Sequence, residues 1–577
     1  MPITRNLTII AQDPSVQDPD GRIVTASVAL PFERLDPGPR GYRVHVVDYD
    51  SVNRVLYRPF DPGGDGDPFK SASDKTLCSD PGFHAQNVYA IVMRLLAQFE
   101  KALGRRVSWG FGGHLLHVAP HAFAEANAYY SDDSRGLYFG CFPGSGGQTI
   151  FTCLSHDIVA HETTHALLDG LRESYTLPSH PDQAGFHEGF ADIVALLSVF
   201  GLRDVVRQLV PGLKNGRVNK SKLDAATLRR CVLLGLAEQF GQEASRHSSD
   251  CLRRSVTAPP DENAYYKDVG FNECHLRGEI LAAAVLNSFI EVWVKRLGGW
   301  LPKQDKTVPV DRVAEDGADA AEHLLTMCVR ALDYCPTVDL TFPDFLSALL
   351  TADYEFLPHD GRYGYREILK KQFDQWGIKP ASGMNEDAAA CLTPEAGAWE
   401  KPDCAALDHE CVHREPLEQN GEEVFRFLWE NRVALGVYPE AYTRVISVRP
   451  CIRVGLDGFV LRETVSEYRQ VLDLEAGQLA QVCKGMKKPD SMPRNTLVRL
   501  NGGGVLVFNE FGLLKYHIRS RIDNPARQNS RLQYLWENNI RDSDGKYGFT
   551  DGAPRGQRFA LMHVRRDNAA RKEDWDE

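Results

Sequence analysis

Two stretches, SHDIVAHETTHALLDG at 155–170 and GFHEGFADIVALL at 185–197, decide how this chain is read. In the first, Ser155 reads as an N-cap and Asp157 lies in the electropositive first turn. Ile158, Val159, Leu167 and Leu168 supply an apolar face, so the spacing predicts a helix. Residues four apart share a helical face, and His161 and His165 can therefore grip a single ion. Glu162, about 100° further round, sits beside the ion's open coordination position. There it can take a proton from bound water and pass it to a leaving amine. Glu188 follows His165 by 23 residues and precedes Asp192 by four. A zinc ion that keeps a water needs a third protein ligand, and two histidines with a glutamate form a known catalytic set. Asp192 then reaches the far nitrogen of a ligand imidazole and fixes its tautomer. Phe186, Phe190, Ile193 and Val194 predict that this second helix is buried, and buried acids require partners. An HExxH alone is common on ordinary helix surfaces. The second segment makes the pattern specific.

Outward from these stretches, apolar periodicity predicts helices over 83–103, 156–172, 185–200, 221–240, 275–296, 318–333, 343–352 and 363–378. Strand-like runs precede them, at 42–48 and in GLYFGCF at 136–142. A stretch rich in Ala, Pro, Gly and acids then reads as a linker. Beyond it come a helix at 422–435 and alternating strands around glycine turns, with Gly502-Gly503-Gly504 read as a hairpin turn rather than a phosphate loop. At 577 residues the chain is too long for one ordinary core. The organisation expected is a strand-rich segment at 1–80, a main domain at 81–380, a linker at 381–404 and an α+β domain at 405–577.

HETTHALLDG followed by HEGFADIVAL resembles the thermolysin-like metallopeptidases, the gluzincins. The likeness continues in Asn127-Ala128-Tyr129-Tyr130, similar to the family's substrate-holding edge strand, and in CHLRGEIL at 274–281, similar to the segment carrying its second histidine. It covers roughly residues 80–380 in the family's order. The resemblance implies an α+β fold, with a mixed N-terminal lobe, a helical C-terminal lobe and, in this chain, an additional C-terminal α+β domain. It implies Zn2+ held by His161, His165 and Glu188, with Glu162 as general base and Asp192 behind a ligand imidazole. It further implies His275 as donor to the tetrahedral oxyanion, with Tyr175 near a second such donor. Asn127 and Ala128 would hold an extended peptide, and Arg246 or Arg254 would clamp its carbonyl. The expected activity is cleavage of internal bonds in a peptide or protein.

Departures from the family lie around these positions. His187 stands where Asn is usual. Gly270 replaces an acid, with Asp268 or Glu273 as substitutes. The usual Asn-Ser-Gly after the second histidine becomes Arg277-Gly278-Glu279. An acid of the family's calcium cluster is replaced near Val199, so no double calcium site is expected beside Asp157. The family is typically secreted with a long pro-segment, and the first ~80 residues read as too short for one. An alternative of another class is a zinc-binding scaffold or interaction protein that has lost turnover, motivated by the altered surroundings of His275. A third is a zinc hydrolase acting on a non-peptide amide.

Composition narrows the partners. A net charge of −12 gives no electrostatic reason to bind nucleic acid or anionic lipid. No run approaches the about 18 apolar residues of a membrane span. No apolar run follows a basic start, and the 13 scattered cysteines fit reduced thiols, so the expected location is the cytoplasm. A protein partner is expected for the C-terminal domain. Cys391, Cys404, Asp408, His409, Cys411 and His413 are too irregularly spaced for a common zinc module. The basic run MKKPDSMPR at 486–494 reads as a solvated loop.

Overall fold

In the first long helix Asp80 accepts the Gly82 N–H at 2.8 Å, Pro81 occupies the first turn, and Gly104 ends the helix in the left-handed region at φ 68°. This follows the usual asymmetry of proline at the start and glycine at the end. Nearly every apolar residue of this helix, α1 (Pro81–Leu103), is buried, and the N-terminal lobe is built around it. The computed structural model describes residues 3–230, 259–262, 274–381, 397–399, 401–403 and 406–548, except 19, 51–53, 65, 145–146, 177–178, 211, 302–304, 360–362, 455–457 and 459.

Before α1 comes an antiparallel hairpin, β1 (Thr4–Ile10) with β2 (Thr25–Pro31), and then the short strand β3 (Val44–Val46). After it come β4 (Leu116–Phe123), β5 (Ala128–Ser131), β6 (Gly136–Pro143) and β7 (Thr149–Phe151). They form a sheet in the order β3-β4-β6-β5, with β7 added along β6. β5 runs antiparallel to β6 and is the edge. A 3-10 turn at Thr152–Leu154 leads from β7 into α2 (His156–Leu171), and α3 (Pro181–Phe200) follows. The helical half continues with α4 (Cys274–Gly298), α5 (Val310–Ala331), α6 (Phe342–Phe356) and α7 (Tyr365–Asp374). No described helix is long and apolar enough to cross a membrane.

The C-terminal part holds α8 (Gly421–Glu430), β8 (Tyr442–Val454), β9 (Val460–Glu475), β10 (Leu497–Phe508), β11 (Leu514–Ser520) and α9 (Pro525–Glu537). Its four strands make an antiparallel meander of their own. Successive side chains leave a strand on opposite faces, and β10 shows the consequence. Val505 and Val507 join the large core that starts at Leu7 and runs through α1 to α7, whereas Leu506 and Phe508 pack with Phe427 of α8. One face of this sheet is therefore part of the main body.

Several local expectations are corrected. Ser155 occupies the N-cap position of α2 but makes no capping bond, because its hydroxyl donates to Asp13 at 2.6 Å. Gly502, Gly503 and Gly504 lie inside β10, opposite Gln470, Arg469 and Tyr468. A Cβ on Gly503 would come within 2.3 Å of the Tyr468 carbonyl oxygen, so close strand approach, not a turn, demands glycine there. The turn falls at 509–513, where Asn509 accepts the N–H groups of Phe511 and Leu513. α3 begins at Pro181, capped by the His180 ring, and α5 begins at Val310. Of the helix expected over 221–240, the described part is Ala225–Arg229; residues from 231 lie outside the described residues.

Candidate metal centre

Three helices bring the candidate ligands together, and glycines set how closely they pack. Gly185 and Gly189 of α3 face Gly278 of α4. A Cβ on Gly278 would stand 2.8 Å from the Gly189 nitrogen and 2.9 Å from the Gly185 oxygen. Backbone therefore meets backbone across α3 and α4, and the side chains of Glu188 and His275 arrive from two sides of one point. Arg277 locks this packing: its Nε donates to buried Asp182 Oδ1 at 2.7 Å, while Asp182 Oδ2 accepts the Phe342 N–H of α6 at 3.1 Å.

On α2, His161 Nε2 and His165 Nε2 face each other at 3.0 Å. Glu188 Oε2 is 3.4 Å from the former, and Oε1 is 3.8 Å from the latter. One donor atom from each of the three residues lies within 4.8 Å of the others. Each imidazole is held from its outer nitrogen. His161 Nδ1 meets Asp192 Oδ1 at 2.9 Å, and His165 Nδ1 meets His187 Nδ1 at 2.8 Å. A carboxylate only accepts, so His161 Nδ1 carries the proton and Nε2 presents its lone pair to the centre. Both Glu188 and His165 are buried, and the His161 side chain remains 17 % exposed.

The electrostatics favour a cation here. Burial opposes a charge on His161, but the hydrogen bonds from Asp192 and Glu188 outweigh it and raise its pKa well above the ordinary value. Burial likewise opposes ionised Glu188, and His275, His165 and His161 together hold its carboxyl well below the usual range. Two imidazoles and a carboxylate converging in an anionic, largely dry setting are a donor set that fits zinc.

Around the triad, Glu162 is buried beside the edge strand, and its Oε2 accepts the Tyr130 N–H of β5 at 3.0 Å. Burial raises its pKa to about 8; His161 acts against the shift and Glu188 with it. His275 Nε2 stands 3.6 Å from Glu188 Oε2. Asn127 immediately precedes β5 and Ala128 opens it. Tyr175 lies elsewhere: its hydroxyl donates to the Pro336 carbonyl at 2.7 Å and its ring packs edge-on against Phe186. It is a core tyrosine. Arg246, Arg254, Asp268, Gly270 and Glu273 lie outside the described residues, as do Cys391 and Cys404. The described members of that sparse cluster, Asp408, His409, Cys411 and His413, belong to no metal-capable group among the described residues.

Three residues were not singled out for these roles from sequence. His187 braces His165, and Arg277 with Asp182 braces α4 against α3. A histidine next to the third ligand was the available signal for the first. Compared with known proteins, the chain matches no family model and no curated protein.

Proposed function

We propose that this chain is a zinc-dependent endopeptidase of the thermolysin-like kind, holding its metal through His161, His165 and Glu188. The observation that carries the reading is the convergence of these three side chains within 4.8 Å, with Glu162 on the same helix and bound to the edge strand. Zinc bound there would supply a Lewis acid and an acidified water. Glu162 takes the proton of the attacking water and delivers it to the leaving amine. The Tyr130 N–H at 3.0 Å fixes one carboxyl oxygen and thereby its orientation. His275 donates to the oxygen on which negative charge develops. The edge strand β5 offers its backbone to a substrate in extended form. Helix packing around Arg277 and Gly278 keeps His275 near Glu188 despite the departure from the usual Asn-Ser-Gly.

The test is Glu162→Gln in the full chain, with zinc content and hydrolysis of a mixed peptide library measured together. Retained zinc with hydrolysis reduced about 10²–10⁴-fold is expected. Equal hydrolysis by parent and variant, or a zinc-loaded parent inactive on every peptide, would overturn the reading in favour of a scaffold or a different amide substrate.

A further inference from the structure

Asp48, His84, His121 and Cys153 meet inside the N-terminal lobe from four separate segments: the stretch after β3, the first turn of α1, β4, and the 3-10 turn that feeds α2. His84, His121 and Cys153 are all buried, and one donor atom from each lies within 4.8 Å of the others. The surroundings are aromatic. The Phe151 ring lies 4.8 Å from that of His84 and 5.1 Å from that of His121, and Tyr57 meets His121 edge-on at 5.7 Å.

The outer hydrogen bonds decide where the ring protons are. His84 Nε2 is 3.1 Å from the Cys78 carbonyl, which can only accept, so Nε2 donates and Nδ1 holds a lone pair. His121 Nδ1 is 2.6 Å from Asp48 Oδ1, so by the same argument Nδ1 donates and Nε2 holds a lone pair. These two inner nitrogens, His84 Nδ1 and His121 Nε2, stand only 2.8 Å apart. Two lone pairs at that separation repel, and a positive centre must sit between or beside them, either a proton or a metal ion. Both rings are buried, and a lone charge there is costly unless further donors meet it. A shared proton would also have no use for Cys153, whereas a metal ion takes its sulfur as a third donor. The same pattern recurs at the first centre, where two inner nitrogens 3.0 Å apart are backed by outer partners.

We propose that His84 Nδ1, His121 Nε2 and the Cys153 thiolate form a second Zn2+ site, with Asp48 orienting His121. Two imidazoles and a sulfur are a donor set for zinc rather than for calcium or magnesium, which take oxygen. On binding, the Cys153 thiol gives its proton to solvent and the sulfur bonds to the metal; nothing is oxidised or reduced. Because the thiol must lose its proton to bind, metal uptake is expected to weaken as pH falls. The placement gives the site a purpose. Cys153 lies three residues before His156, so the ion ties α1 and β4 to the turn from which the HExxH helix departs. The proposal does not depend on the peptidase reading.

The test uses the full chain carrying His161→Ala and His165→Ala, which removes the first centre and leaves the second. It is expected to retain about one equivalent of zinc. On exchange with cobalt it should show a thiolate-to-cobalt charge-transfer band, which the nitrogen and oxygen donors of the first centre cannot give. Adding Cys153→Ser should abolish both. A folded double variant without zinc, or a band that survives Cys153→Ser, would refute the site. If the triple variant does not fold, crystals of the parent decide by anomalous scattering at the zinc edge. A peak beside Cys153 Sγ supports the proposal, and an ordered His84–His121 pair with no peak overturns it.

Discussion

Asp192 illustrates how a residue outside the candidate ligand set can orient one of its members. Its carboxylate holds His161 Nδ1 at 2.9 Å, which fixes both the ring and the lone pair facing the centre. Asp192→Asn keeps the shape but removes the charge and leaves the tautomer unspecified. Zinc affinity is expected to fall about 10–100-fold, read by competition with a chromophoric chelator, while the fold stays intact by circular dichroism. Unchanged affinity would show that Asp192 does not set the ligand. At this scale the sequence was legible where spacing carries chemistry: the four-residue interval on one helix and the acid pair on the next. It was not legible where geometry comes from distant segments. Nothing near Tyr175 announces that its hydroxyl meets the carbonyl of Pro336, and nothing near His84 announces His121.

Among the elements, the contact of α3 with α4 is the one on which the centre depends. Gly278→Ala tests it. A helix gains up to about 1 kcal/mol from Ala over Gly by propensity alone. Against that stand backbone atoms 2.8 and 2.9 Å from the new Cβ, which cannot move as a side chain can, and overpacking of this sort costs about 1–3 kcal/mol. Packing is expected to win. The variant should melt lower than its parent and release zinc faster, because Glu188 and His275 separate with their helices. A variant as stable as the parent would refute the close-packing argument.

A histidine on β11 gives stability a dependence on pH. Burial, aided by Arg519, lowers the pKa of His517 to about 3, and its Nε2 forms a hydrogen bond with the Tyr468 hydroxyl at 2.9 Å. The unfolded chain takes up that proton near pH 6.5, the folded chain only near 3. Between these values the unfolded state binds more protons, so stability falls as pH falls through that window, and this residue contributes no slope above it. His517→Gln should flatten the dependence of unfolding free energy on pH between about 6.5 and 4, measured by denaturant titration. An unaltered slope would assign the effect to other groups.

Elements were read well where periodicity was strong, as in α1, α2 and the long hairpin of β8 and β9. The three glycines of β10 were misread because a turn and a close strand approach call for the same residue. Boundaries at α3 and α5 slipped because their first turns carry few apolar residues.

For the molecule as a whole, the junction between the C-terminal sheet and the main body is charged as well as apolar. Asp333 receives both guanidinium nitrogens of Arg105 at 2.6 Å each and also binds Arg453, which reaches Glu463 at 2.7 Å. Arg172, at the end of α2, pairs with Glu467, and Lys515 bridges Glu463 at 2.7 Å and Glu355. Removing one partner of such a buried set strands the others, at a cost of about 3–5 kcal/mol. Asp333→Asn is therefore expected to lower stability by about that amount and to loosen the sheet, seen as faster amide exchange in β8 and β9. A loss confined to a few tenths would mean that the junction rests on apolar packing alone. A linker rich in Ala, Pro, Gly and acids predicted residues 405–577 as a unit apart, and that part does have its own four-stranded sheet. The sequence could not reveal that alternate side chains of that sheet complete the core of the other part.

That shared core has a consequence in time. Chains emerge from the ribosome at roughly 5–20 residues per second and fold from their beginning. The helices that carry His161, His165 and Glu188 end by residue 200, yet the core they belong to includes Ile518. During the roughly 15–60 s of synthesis between these points, a nascent chain displays the apolar and arginine-lined surface meant for its own last third. Chaperones that act during translation should find their substrate in that interval.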